Sequence, residues 1–285
     1  MSDPVLISST DGVGTKTIVA NWANRHQNIG RDLVNHCVND IFTGGARPLF
    51  FLDYFATSKL DVDIAEKVLT GLAAACKDVG VALIGGETAE MPSVYHEGSY
   101  DLAGTIVGVV DADKMVDGSK IREGDMLVAL PSTGLHTNGF TLARKVLIDQ
   151  TDYKPTDKLP GMDVDLADAL LAPHRCYYPI VSKWLNRDLH VHGMAHITGG
   201  GIEGNTKRII PDGLRANIEW DKWEWPKLFQ HIHEIGEVPV EDMRRSFNLG
   251  AGWVIALPAW RAKELIMHSL GTDMTPFRIG TVEKA

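Results

Sequence analysis

Ser9-Thr10-Asp11-Gly12-Val13-Gly14-Thr15-Lys16 follows directly on the apolar run Val5-Leu6-Ile7. A strand here runs into two glycines set among hydroxyls, one carboxylate and one lysine. Glycine opens backbone conformations closed to other residues and lets main-chain N–H groups come close to a ligand. A carboxylate and an ammonium on such a turn suit a magnesium ion and the phosphates it escorts. A plain β-turn with glycine at positive φ would use the same residues, so the stretch needs partners elsewhere in the chain. Two familiar nucleotide loops are excluded. Gly12 stands too close to Lys16 for G-x-x-x-x-G-K, and Thr17 occupies the third glycine position of G-x-G-x-x-G.

A chain of 285 residues suits two domains, at roughly 100–200 residues each. Its net charge of −9 and pI near 5.6 argue against nucleic acid or an anionic membrane as partner. An acidic protein that handles polyanions must gather positive charge locally or borrow it from a metal ion. Cys37, Cys76 and Cys176 are scattered and odd in number, which predicts buried thiols in a reducing compartment rather than disulfides or a zinc site. The N-terminus lacks a basic segment followed by a long apolar one, and the apolar run Ala103 to Val110 is too short to span a bilayer. A soluble, cytoplasmic protein is expected.

Along the first half, Ile29, Leu33, Val34, Cys37, Val38 and Ile41 recur at helical spacing. Asp32 and His36 fall on the opposite, solvated face, and Asn39-Asp40 lies near the helix end, where a carboxylate can reach back over a loop. The strand Leu49 to Ala56 carries Asp53 alone in its middle, which calls for an exposed face or a cationic or metallic neighbour. Asp61 caps a helix that ends at Gly80. The short strand Val81 to Ile84 then opens onto Gly85-Gly86-Glu87-Thr88-Ala89-Glu90-Met91-Pro92, repeating a permissive backbone with hard oxygen ligands. A strand over Ser99 to Val110 precedes a polar linker, so residues 1–112 form the first domain and 113–285 the second.

In the second half, the strand Met126 to Leu130 breaks at Pro131 and enters Ser132-Thr133-Gly134-Leu135-His136-Thr137-Asn138-Gly139 before a helix. Ala195-His196-Ile197-Thr198-Gly199-Gly200-Gly201 repeats the arrangement. Such loops bind anions through free N–H groups and the helix dipole, with His136 and His196 as proton handlers or phosphate donors. The other nine histidines lack such a context and are expected at the surface. Phe247-Asn248-Leu249-Gly250-Ala251-Gly252 and a strand Trp253 to Leu257 lead to the closing helix and strand.

Together these motifs resemble the aminoimidazole ribonucleotide (AIR) synthetase family over nearly the whole chain, most specifically in G-G-E-T-A-E-M-P, L-H-T-N-G and H-I-T-G-G-G. The resemblance implies an α/β (α+β) two-domain fold, whose N-terminal sheet pairs with a second subunit's into a barrel, followed by an α/β domain. It also implies a homodimer with its site near the subunit interface. The implied reaction is ATP- and Mg²⁺-dependent closure of the imidazole ring of formylglycinamidine ribonucleotide, through phosphorylation of the formyl amide oxygen.

Under that resemblance, Asp11, Asp40 and Glu87 are metal ligands, with Asp53 and Glu90 of second rank. Lys16 pairs with phosphate oxygens, His196 lies near the γ-phosphate and the formyl group, and His136 and Asn138 meet the substrate. Gly12, Gly14, Thr15, Asn39, Thr88, Gly199, Gly200 and Gly201 complete the nucleotide-binding set. Family members carry a glycine-rich segment before this point, whereas Met1 stands just upstream of Ser9, so a short form without that cover is expected. The alternatives are a nucleotide-binding paralogue without activity, or another ATP-using member of the superfamily. Selenophosphate synthetase is disfavoured because the opening loop has no cysteine.

Overall fold

The computed structural model describes residues 1–187, 189–269 and 271–285. Its first half is a four-stranded sheet, with β1 (Pro4–Gly12), β2 (Arg47–Thr57), β3 (Ala82–Glu90) and β4 (Tyr100–Asp111) in the order β1-β4-β2-β3. Helices α1 (Lys16–Ala23), α2 (Ile29–Phe42) and α3 (Val62–Asp78) accompany it. The apolar stripe of α2 is buried as its spacing predicts, with Leu33, Val34, Cys37 and Val38 all at 0% exposure. Asp61 caps α3 by accepting from Asp63 N and Ile64 N, which satisfies two of the donors that a helix start leaves free.

The second half is a five-stranded antiparallel sheet of β5 (Met126–Pro131), β6 (Gly193–His196), β7 (Leu214–Ile218), β8 (Ala251–Leu257) and β9 (Phe277–Lys284), in the order β6-β8-β5-β9-β7. Helices α4 (Phe140–Arg144), α5 (Leu166–Leu170), α6 (Tyr178–Leu185), α7 (Gly201–Lys207), α8 (Lys227–Ile235), α9 (Val240–Ser246) and α10 (Ala259–His268) complete it. The interior strand β8, between β6 and β5, is apolar or glycine throughout and buried throughout, as a strand covered on both faces must be. One apolar cluster joins the halves, running from Val13, Leu33 and Phe51 to Leu135, Phe140 and Phe247. The junction between the two sheets is therefore core.

Two local expectations change. The opening stretch is mostly strand: β1 continues through Asp11 and Gly12, and among its glycines only Gly14 takes positive φ, at 64°. The double-glycine segment is not a loop either, because β3 runs straight through Gly85, Gly86 and Glu87 in parallel register with β2. Gly86 permits this register, since a Cβ there would stand 2.3 Å from Asp53 Oδ1. Of the three cysteines, Cys37 and Cys76 are buried, Cys176 is partly so, and all are free thiols.

Candidate active site at the domain junction

The polar face of α2 meets protein. Asn28, Asp32, Asn35 and Asn39 share one helical stripe, and the irregular segment 171–177 lies across it. Asn28 Nδ2 donates to Leu171 O at 3.5 Å, Asn35 Nδ2 to His174 O at 2.7 Å and Asn39 Nδ2 to Arg175 O at 2.8 Å. Asp32 Oδ1 accepts from His174 N at 2.7 Å, and Asn39 Oδ1 accepts from Tyr177 N at 2.9 Å. A buried segment without regular structure needs such partners for its backbone. Lys16 Nζ lies 2.7 Å from Asp32 Oδ2 and donates to Ala172 O at 2.9 Å, with both charged side chains at 0% exposure. One expectation is corrected here, since Asp32 is buried rather than solvated. Lys16 points into the junction, and Asn39 commits its amide to the segment.

That segment delivers His174 into a cluster with His36, His136 and His196. His196 Nδ1 donates to Asp40 Oδ1 at 2.8 Å, and its Nε2 lies 2.9 Å from His174 Nε2. His174 Nδ1 is 3.3 Å from Thr137 Oγ1, which is 2.7 Å from His36 Nδ1. His36 Nε2 stands 2.8 Å from Asp11 Oδ2 and 3.5 Å from Asp40 Oδ2. Ser9 Oγ donates to Asp40 Oδ2 at 3.0 Å. His136 stacks on His174 with ring centroids 4.1 Å apart and accepts from Thr133 N at its Nε2. Gly252 leaves room for this packing, since a Cβ there would stand 2.0 Å from Tyr177 Oη and 2.6 Å from His136 Cε1.

The acceptors assign the protons. Burial opposes the charge on Asp40, yet bonds from His196 and His36 hold it well below the usual carboxylate range. As an ionised acceptor it requires His196 to carry its proton on Nδ1. Burial keeps His196 below its ordinary value, so its Nε2 is bare and accepts from His174 Nε2–H. His174, pushed well down by burial, is likewise neutral and accepts from Thr137 at Nδ1. The Thr137 oxygen then takes the His36 Nδ1–H, and His36 Nε2–H faces Asp11. His36 is therefore the imidazolium of the group: burial alone would lower it, but Asp11 and Asp40 raise it to about 9.

Stability should follow these shifts. The contribution of His36 is complete below its ordinary 6.5 and is lost as pH rises through about 9. His136, His174 and His196 are held below 6.5, so the unfolded chain binds protons there first and stability also falls on the acid side. Urea midpoints measured across pH should peak near neutrality and decline towards pH 9, and His36→Gln should flatten the alkaline limb. A wild-type midpoint that keeps rising to pH 9 would contradict the assignment.

The other anticipated residues divide. Asp11, Asp40, His136 and His196 come together as described. Asp11, Gly104, Asp53 and Gly86 form one row across the sheet. Glu87, one residue beyond Gly86, points to the opposite face and lies about 14 Å along the sheet from the Asp11 row's β1 end, at ~4.8 Å per strand. Glu87 and Thr88 therefore do not join the cluster within one chain, and Glu90 accepts from Leu60 N at 2.8 Å. Asp53 shows no ion pair among the described residues, and burial raises its carboxyl above the usual range. Gly12, Gly14 and Thr15 lie where β1 gives way to α1. Asn138 and Gly199 bring the two glycine loops together, since a Cβ on Gly199 would stand 3.5 Å from Asn138 Oδ1. Gly200 and Gly201 answer to the fold, at φ 96° and 66°, and a Cβ on Gly201 would lie 1.8 Å from Arg244 O.

His36 and His174 were not anticipated in the site. His26, His36, His174 and His231 are all buried, the last bonded to Pro160 O, which corrects their surface assignment. The spacing of Asp32, His36 and Asp40, each four residues from the next, does place them on one helical face. His174 has no such signal, since its neighbours are apolar residues, Pro173 and Arg175.

Comparison with known proteins yields two family models. Residues 2–110 match the family model for the N-terminal domain of AIR synthase related proteins, and residues 122–285 match that for the C-terminal domain. The phosphoribosylformylglycinamidine cyclo-ligase of Geobacter metallireducens is 49% identical over 282 residues, 99% of this chain and 81% of that protein. The corresponding protein of Geotalea daltonii is 47% identical over the same shares. Thiamine-monophosphate kinase from Stenotrophomonas maltophilia superposes with a TM-score of 0.72 at 18% identity, over 100% of this chain and 84% of that one. The hydrogenase maturation protein HypE in complex with ATP gives 0.67 at 19%, over 99% and 77%. At these identities the two structures attest the fold.

Proposed function

The chain belongs to the phosphoribosylformylglycinamidine cyclo-ligase family, and from that membership we propose a division of roles among its residues. The protein is an ATP-dependent ligase of purine biosynthesis. It closes the imidazole ring of formylglycinamidine ribonucleotide to give aminoimidazole ribonucleotide, ADP and phosphate. The observation that carries the assignment of roles is the convergence of Asp11 and Asp40 on His36 beside the first glycine turn.

Asp11 and Asp40 are the magnesium ligands in this reading. Their side chains keep 45% and 23% exposure, and Mg²⁺ favours one or two carboxylates completed by water and phosphate oxygens. The charge drawn onto His36 between them reflects the local negative potential. Bound there, Mg²⁺ would screen the phosphate charges during transfer. The turn at Gly12, Gly14 and Thr15, with Asn138 and Gly199 where the loops meet, would present N–H donors to the nucleotide and the ribonucleotide. His196 holds Asp40 in place. The Nδ1 of His136 is buried with no partner among the described residues, and we assign this open position to the ribonucleotide.

A homodimer accompanies this reading. β1 and β3 are the outermost strands of their sheet, and Leu6, Leu83 and Ile84 on them are 67%, 40% and 59% exposed. Outer strands with open apolar side chains invite pairing with another chain, and Glu87 would face that second copy. No described helix is long and apolar enough to cross a membrane. Asp11→Asn should raise the Mg²⁺ concentration for half-maximal ADP release about tenfold or more, on the scale of a lost ligand charge, and should also lower stability near neutral pH, because the His36 imidazolium loses one of its two carboxylates. Unchanged Mg²⁺ dependence would remove Asp11 from the metal site.

A further inference from the structure

The cluster has a hub, and it is a residue without an obvious sequence signal. His174 bonds His196 through Nε2 at 2.9 Å and Thr137 through Nδ1 at 3.3 Å. It stacks on His136 at 4.1 Å and meets His36 edge-on at 5.2 Å. Its own backbone is fixed on both sides, N–H to Asp32 and C=O to Asn35. The residue is 1% exposed and both its ring nitrogens are engaged, so it has no free donor or acceptor to meet substrate. Every element that carries an active-site histidine therefore touches this one ring.

We propose that His174 is the positioning residue of the active site. Its Nε2–H orients the His196 ring, and through His196 it orients the Asp40 carboxylate. His196 has two anchors, Asp40 at Nδ1 and His174 at Nε2. With only the first, the ring can swing about the line of the remaining hydrogen bond. Fixing both nitrogens removes that freedom, as outer partners do for imidazoles that must hold one direction. Errors of about 1 Å in such groups cost roughly 100-fold in rate. The proposal rests on the cyclo-ligase reading only for its kinetic consequence.

Three variants separate the roles of the two nitrogens. The amide of His174→Gln can occupy the Nε2 position and donate to His196. His174→Asn reaches only the Nδ1 position, and His174→Phe keeps the ring shape with neither. Expected kcat is within about threefold of wild type for His174→Gln and about 10–100-fold lower for His174→Asn and His174→Phe. KM for ATP should move less than about twofold, because nucleotide contacts are not removed. In ¹⁵N-histidine spectra of the substrate-free protein, the His196 Nε2 resonance should shift for Asn and Phe and stay near wild type for Gln. A purely structural role would instead make kcat follow melting temperature, with Gln and Asn alike, and that result overturns the proposal. So does an unmoved His196 resonance in His174→Phe, a test that stands even where ring-closure activity fails.

Discussion

Asp40→Asn should lower the rate of ring closure by about 10³-fold, the scale seen when a buried charge that orients a catalytic group or opposes developing charge is neutralised. Asn is isosteric, so its side-chain oxygen can still accept from His196 Nδ1. What disappears is the charge that His36 and His196 face and that we assign to magnesium. The asparagine amide would also turn a donor towards the His36 imidazolium, 3.5 Å from the replaced oxygen. The fold should persist, because Asp40 keeps 23% side-chain exposure and water can cover part of the loss. Steady-state ADP release checks this, and a loss below tenfold would mean that the carboxylate's charge is dispensable.

Asp32→Ala should destabilise the protein by about 3–5 kcal/mol, the range for removing one partner of a buried ion pair. Two groups are stranded at once. The Lys16 ammonium keeps only Ala172 O, and the His174 amide loses its acceptor. The variant Lys16→Met/Asp32→Leu should recover part of the loss, since no charge is then buried. Recovery is incomplete, because an unpaired buried N–H still costs about 1–3 kcal/mol. Urea unfolding of the two variants provides the comparison. A cost below about 1 kcal/mol for Asp32→Ala would contradict the reading of the junction as a polar clasp, since surface pairs fall in that range.

The fold was legible where local signals agree with tertiary placement. The apolar stripe of α2, the Asp61 cap and the buried strand β8 each follow from spacing and residue type. Asp11, Asp40, His136 and His196 were also legible, because each sits at a strand end, a helix end or a glycine loop. Asp32 and His36 read as solvated for one reason. Helical spacing tells which residues share a face, but a polar face reads the same whether water or a polar backbone segment covers it. Two glycines before Glu87 read as the end of a strand, yet glycine there admits the Asp53 side chain between paired strands. His174 was illegible in principle. Its role comes from a segment that crosses from the second domain onto α2, and contacts over 142 residues of separation leave no local pattern.

These residues can be judged only on a working enzyme, so the most direct measurement is turnover itself. The purified protein is incubated with ATP, Mg²⁺ and formylglycinamidine ribonucleotide, and ADP and the aminoimidazole product are followed together. The account predicts equal amounts of the two, with no ADP when the ribonucleotide is left out. ADP released without aminoimidazole, or neither product formed, would contradict it.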